Sequence, residues 1–200
     1  ATVAVLLSMV VTVWLTGAFH EDGWADTCDG LGGHVSRARA LEIMKDSRIG
    51  SYGAVGLMLA LALKAAALHA LATRDFGAAL LALPLVHAWS RAVPVALLVA
   101  LRYAGDAEHT KAKPMAQQVS AGGLAATLLW CALAGAGAAA MGLDIEALFL
   151  VALAVAVTAV LAGRWLQHRL GGYTGDTLGA AQQVAEIAAY LALGAALGHG

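Results

Sequence analysis

An all-α, polytopic integral membrane bundle of about six spans is the architecture this sequence predicts, and three observations carry it. Of the 200 residues, 60% are hydrophobic and only 12% are charged, where a soluble domain holds about 45–50% and ~25%. The apolar residues fall in runs of about twenty, the length a helix needs to cross a hydrocarbon core of ~30 Å. None of these runs alternates with period two, as a membrane strand would.

In chain order the spans are 1–18, 52–72, 76–102, 118–142, 144–163 and 177–197, forming one transmembrane domain over residues 1–200. Gly122, Gly123, Gly135 and Gly137 suit close helix packing in lipid. The 76–102 run carries Pro84 and Pro94, so it is either one kinked span or two short ones. Charge decides between them. With one span, the loops 19–51, 103–117 and 164–176 share a side with Arg37, Arg39, Lys45, Arg48, Arg102, Lys111, Lys113, Arg164 and Arg169. The opposite loops hold only Arg74. Splitting the run destroys that asymmetry. By the positive-inside rule the polar loops are cytoplasmic. The sequence begins at Ala1 inside an apolar run without a signal-peptide pattern, so a preceding piece is expected.

A net charge of −1 supplies no basic face, which excludes a nucleic-acid partner. Cys28 and Cys131 suggest neither a disulfide framework nor a zinc site and read as unpaired thiols.

The unusual chemistry sits in the polar loops. After the first apolar run, Glu21, Asp22, Asp26 and Asp29 crowd into nine residues. On a helix, Asp22, Asp26 and Asp29 fall within about 60° of one another, and Glu21 points away. Like charges at i, i+4 repel by ~0.2–0.5 kcal/mol per pair in water, so the face calls for a cation. Oxygen donors without paired His or Cys select Mg²⁺, Ca²⁺ or Mn²⁺. Downstream, Arg37, Arg39, Lys45 and Arg48 suit phosphate recognition, Arg by bidentate contacts and Lys as a point charge. They serve equally well as topology signals.

The stretch 170–187, LGGYTGDTLGAAQQVAEI, supplies glycines for a tight turn, then Thr174 or Asp176 as a helix cap. Glu186, with Gln182 and Gln183, lies inside an expected span, where a carboxylate costs ~2.5–3.5 kcal/mol and faces the bundle interior or a wet cavity. Arg91 near mid-span is a functional or buried-pair candidate by the same reasoning. Lys64 reads as a snorkelling side chain. His20 precedes the acidic cluster.

Three blocks, GAFHEDGWADTCDG (17–30), LEIMKDSRIGSYG (41–53) and GGYTGDTLGA (171–180), resemble in this order the cobalamin synthase family, the adenosylcobinamide-GDP ribazoletransferases. The spans between them fit as well, so the likeness covers essentially the whole chain. It implies a multi-pass enzyme of the bacterial inner membrane, embedded in the lipid bilayer, with its active-site loops in the cytoplasm. It also implies a single catalytic domain and leaves a homo-oligomer open. The implied reaction is attack by the ribose 3′-hydroxyl of α-ribazole, or of its 5′-phosphate, on the cobinamide-proximal phosphorus of adenosylcobinamide-GDP. GMP leaves, and Mg²⁺ is required.

The resemblance carries over to His20, Asp22, Asp26, Asp29, Arg37, Arg39, Lys45, Asp46, Arg48, Thr174, Asp176 and Glu186, and to Ser90 and Arg91. In that reading Asp22, Asp26 and Asp29 hold one or two Mg²⁺. Arg37, Arg39, Lys45 and Arg48 hold the diphosphate and the leaving GMP, with Asp46, Arg91 and Thr174 at the substrate. His20, Asp176 and Glu186 compete as proton acceptors. Glu21 is not expected to be a ligand, and Gln182 and Gln183 carry no assigned role.

Two other classes are weaker. A CDP-alcohol phosphotransferase places an Ala-Arg pair shortly after its first Asp-Gly, which LGGHVSRARA after Gly30 does not. A divalent-cation transporter needs its charges near mid-membrane with access from both sides, whereas most here lie on one face.

Overall fold

The computed structural model describes residues 1–105 and 119–198. Most of the expected 103–117 loop, with Lys111 and Lys113, and residue 118 of the fourth expected span lie outside the described residues. The described residues form helices α1 (Thr2–Thr16), α2 (Phe19–Leu31), α3 (Arg37–Ile43), α4 (Ser51–Arg74), α5 (Phe76–Ala100), α6 (Ala121–Ala140), α7 (Ile145–Leu170) and α8 (Gly175–Ala196). The all-α membrane architecture is borne out.

Four helices, α4, α5, α6 and α7, are each long and apolar enough to cross a bilayer. α5 runs unbroken through Pro84 and Pro94, as the charge asymmetry requires. Two expected spans differ. α1 has 15 residues, about 22 Å of helix, and the chain then bends by 87° into α2. Among the described residues, a fifth crossing by length and composition exists only if the bent pair counts as one broken span. The second difference is α8, which occupies the expected 177–197 span but is not among the apolar crossings. Gln182, Gln183 and Glu186 lower its hydropathy, and all three face protein.

α8 is the axis of the bundle, packed against α7, α2, α5 and α4. Ala185, Ala189 and Leu193 along it have no exposed surface. Small side chains let the neighbours approach, which is how helices associate where lipid removes any hydrophobic gain. One core cluster joins Leu71, Leu85, Val86, Val151 and Tyr190; a second, nearer the polar loops, joins Leu31, Met44, Val93, Leu97, Leu166 and Leu170. The outer surface is apolar. Leu7, Val10 and Trp14 on α1 and Leu129, Trp130 and Leu133 on α6 are exposed, a belt suited to lipid.

The expected 164–176 loop is shorter than predicted, because α7 continues to Leu170 before Gly171 ends it in the left-handed conformation. The short turn after Gly171 is tied down. Tyr173 N–H donates to Arg102 O at 2.9 Å, and Ala104 N–H donates to Tyr173 O at 2.8 Å. The segment leaving α5 is thereby fastened to the turn that leads into α8.

Candidate active site

The site begins with the bend. Gly17 and Ala18 both adopt left-handed backbone, φ 62° and 58°, which turns α2 across the bundle. Glycine takes that conformation freely, whereas alanine is strained there by roughly 1–2 kcal/mol. α2 then lies against α8 so closely that a Cβ on Gly23 would sit 2.6 Å from the Asp176 carbonyl oxygen. Gly179 on α8 passes His20 in the same way, its absent Cβ 3.3 Å from the His20 Cα.

Thr174 is the N-cap of α8. Its side chain accepts from the Thr177 N–H, and the Thr177 hydroxyl accepts from the Thr174 N–H, a reciprocal capping box. The turn therefore uses Thr174, expected at the substrate, as the cap and leaves Asp176 in the first helical turn. There the helix dipole favours its negative charge.

This contact brings Asp176 to Asp22 and Asp26. Burial, then the neighbouring Asp176, Asp22 and Asp29, push the Asp26 carboxyl up to about 6. Burial, and more weakly Asp22, raise Asp176 as well. Asp29 behaves differently. Its two oxygens accept from Gly50 N–H at 2.7 Å and Gly53 N–H at 2.8 Å, so it caps α4 across the loop. Gly50 and Gly53 are glycines because a Cβ at either would collide with that carboxylate. Asp176 thus joins Asp22 and Asp26 on this face, while Asp29, whose charge also reaches Asp26, has both oxygens engaged by backbone N–H groups.

Among the described residues no three His, Cys, Asp or Glu side chains converge on one point. Mg²⁺ does not need such a triad. It takes one or two carboxylates and completes an octahedron with water and phosphate oxygens. Neighbouring carboxylates, with Asp26 and Asp176 raised by burial and by nearby negative charge, are a donor set that fits it. Cys28, on the far side of α2, is no competitor: burial and Asp29 push its thiol to about 11.

The basic residues do not form one cluster. α3 divides them. On one side, a hollow of about 530 Å³ is lined by Asp29, Arg39, Glu42, Asp46 and Arg48. Arg39 pairs there with Glu42 at 2.7 Å, and Arg48 clamps Asp46 at 2.6 Å. The clamp holds the Asp46 carboxyl down at about 2. On the other side, a hollow of about 620 Å³ is lined by Arg37, Leu41, Glu42, Lys45 and Ala104. There an Arg37 N–H donates to Ala104 O at 3.0 Å.

Glu186 belongs to neither. Ten residues beyond Asp176, about 15 Å along α8, it is 2% exposed and 3.2 Å from Lys64 Nζ. Lys64 is buried rather than snorkelling. It donates to Gln183 Oε1 at 2.7 Å and lies 4.0 Å from Glu21. Gln183 also donates to Glu21 at 3.1 Å, and Gln182 donates to Glu186 at 2.8 Å and to Ser90 at 3.1 Å. His87 stands 3.8 Å from Glu186 and bonds to Arg91, which therefore sits at this interior network rather than with the loop arginines. Sequence reasoning assigned no role to Glu21, Gln182 or Gln183 and took Lys64 for a snorkelling side chain. Polar residues recurring inside apolar runs were the available signal.

Comparison with known proteins places this arrangement. The family described as cobalamin-5-phosphate synthase matches residues 1–194. The chain belongs to that family. A protein of Leptothrix cholodnii named adenosylcobinamide-GDP ribazoletransferase is 66% identical over 95% of this chain and 72% of its own length. Proteins of the same name from Polaromonas naphthalenivorans (98% of this chain, 74% of its own) and Shewanella amazonensis (96% and 73%) are 45% and 46% identical. No solved structure matches the chain. The match spans all three loop blocks: the first supplies α2, the second brings Gly50 and Gly53 to Asp29 at the start of α4, and the third caps α8.

Proposed function

We propose that this chain transfers the cobinamide phosphate of adenosylcobinamide-GDP to α-ribazole or its 5′-phosphate, releasing GMP, at the cytoplasmic end of the bundle in the bacterial inner membrane. The observation that carries the reading is the contact at Gly23, which sets Asp22 and Asp26 against Asp176 beside the Arg39–Arg48 hollow.

In this reading Asp22 and Asp26 hold Mg²⁺, which when bound neutralises charge on the phosphate oxygens. Arg39 and Arg48 turn their donors to the diphosphate; Arg48 does so by exchanging its intraloop partner Asp46. Asp29 keeps the loop closed on α4. The ribose 3′-oxygen bonds to the cobinamide-proximal phosphorus, the bond from that phosphorus to the GMP oxygen breaks, and the hydroxyl proton passes to a base. Asp176, whose burial raises its proton affinity, is the carboxylate on this face suited to accept it. Glu186 is already neutralised by Lys64. Phosphoryl transfer asks for little more than such positioning and charge neutralisation.

The test is GMP and cobalamin formation by the full-length protein in nanodiscs, with and without EDTA, for wild type and Asp26→Asn. Metal-dependent product that disappears in the variant supports the reading. Folded, magnesium-loaded protein that forms none sinks it.

A further inference from the structure

Behind α2, on the face that helical spacing turns from Asp22 and Asp26, an apolar hollow of about 430 Å³ lies between α2, α7 and α8. Leu161, Trp165 and Val184, which are 59%, 42% and 40% exposed, line its open side. It therefore opens onto the apolar outer surface of the bundle, and the metal-assisted chemistry has no use for it.

Its walls carry two polar groups without partners. Thr27 is 4% exposed, and its Oγ1 has no hydrogen-bond partner among the described residues. Nor has the buried Trp24 Nε1–H. Inside the other helices Thr12, Thr73, Thr127 and Thr158 each return the hydroxyl to the carbonyl one turn back. Thr27 does not. Buried polar groups are as a rule hydrogen-bonded, so the occupant that completes this hollow brings an acceptor as well as an apolar body.

α7 adds the other half of the pattern. Thr158, Leu161, Trp165 and Arg169 recur every three or four residues and share one stripe of the helix. Arg169, in the last turn, lies 5.9 Å over the Trp165 ring and donates to Gly33 O at 3.1 Å. Neither partner is an anion. From Arg169 down to Thr158 the stripe runs about 16 Å. Gly23 meets Asp176 in the first turn of α8, which puts Trp24 and Thr27 at the same end of the bundle as Trp165. A cation, then hydrogen-bond donors beside an indole, then hydrocarbon walls is the order in which a phospholipid presents phosphate, ester carbonyls and acyl chain. Bare hydrocarbon would leave both donors unsatisfied, and a nucleotide would bury its own polar groups against apolar walls.

We propose that the hollow seats one membrane phospholipid, its phosphate at Arg169, its ester carbonyls at Trp24 and Thr27, and an acyl chain along the trough. The lipid braces the back of the helix whose other face carries the proposed metal ligands. This inference stands on the membrane architecture and does not depend on which reaction the chain performs.

The experiment is native mass spectrometry of the full-length protein, delipidated in detergent and titrated with dioleoylphosphatidylglycerol. Wild type should hold one lipid per chain under activation that strips any others. Arg169→Ala should weaken it roughly 10- to 100-fold, and Thr27→Val roughly 3- to 10-fold, the ranges for losing a charged and a neutral hydrogen bond. Ala162→Trp, which fills the trough, should abolish it. Arg164→Ala, on the same helix but outside the hollow, should bind as wild type does. Each variant is first shown to be monodisperse. No lipid held by wild type overturns the proposal, as does full binding by Ala162→Trp. Equal losses in Arg164→Ala and Arg169→Ala would reveal general attraction to an anionic lipid and overturn it too. Oleate bound as tightly as the phospholipid would do the same, since only the tail would then be read.

Discussion

Lys64 on α4 and Glu186 on α8 stand 3.2 Å apart in the interior of the bundle. Both are almost wholly withdrawn from solvent. Their pairing with Glu21 and Gln183 joins α2, α4 and α8, so it holds the acidic helix where it lies.

Removing one partner leaves the other charge buried without its nearest counter-ion. Lys64→Met should destabilise the protein by about 3–5 kcal/mol. Adding Glu186→Gln should recover part of that loss. Thermal unfolding in detergent gives both numbers, and a double variant no more stable than the single would show that the pair does not matter.

The close approach of α2 to α8 leaves no room for a methyl group at Gly23. Gly23→Ala should cost about 1–3 kcal/mol through forced separation of the two backbones. GMP release should fall more steeply than stability, because the separation moves Asp176 from Asp22 and Asp26. Equal activity in the variant would mean that this contact does not assemble the site.

Asp26 ionises in the folded protein only above about 6, against an ordinary value of 3.8. A raised carboxyl contributes stability below its unfolded value and loses it as pH rises through the folded one. At pH 7.5 and without metal, its charge therefore works against folding. Asp26→Asn should raise the Tm of the metal-free protein at pH 7.5, with a smaller gain at pH 5. Mg²⁺ should raise the Tm of wild type and not of the variant. Transfer should fall by about 10²-fold or more, as for loss of one charge-stabilising group.

Ala18 is the non-glycine residue in left-handed backbone among those described. Ala18→Gly should stabilise the protein by up to about 1 kcal/mol, the relief of strain being offset by a more flexible unfolded chain. Urea unfolding measures the difference, and a loss of stability would mean that the methyl group makes a packing contact worth more than the strain.

Hydropathy was enough to place α4, α5, α6 and α7, because lipid leaves long apolar helices as the simplest solution. Charge asymmetry was enough to keep α5 whole despite two prolines. Helical spacing put Asp22 and Asp26 on one face and turned Glu21 from it. The 87° bend was not legible, since Ala18 carries no mark of the conformation it adopts. Neither were the hydrogen bonds of Asp29, which depend on Gly50 and Gly53 arriving from across a loop. Lys64, Glu21 and Glu186 were each visible as oddities, but no periodicity links residues so far apart in the chain. The division of the basic residues by α3 was hidden for a related reason: Arg37 and Arg39 are two apart and face different hollows.

The composition of α8 also bears on how the protein enters its membrane. With Gln182, Gln183 and Glu186 in its middle, α8 is a poor candidate for partitioning into lipid unaided. Every described helix it packs against precedes it in the chain, so Lys64, Glu21 and Ser90 are synthesised before it. Chain order thus makes Lys64, the counter-charge of Glu186, before the helix that brings Asp176 to the acidic face. A chain halted before α8 presents carboxylates without a finished site.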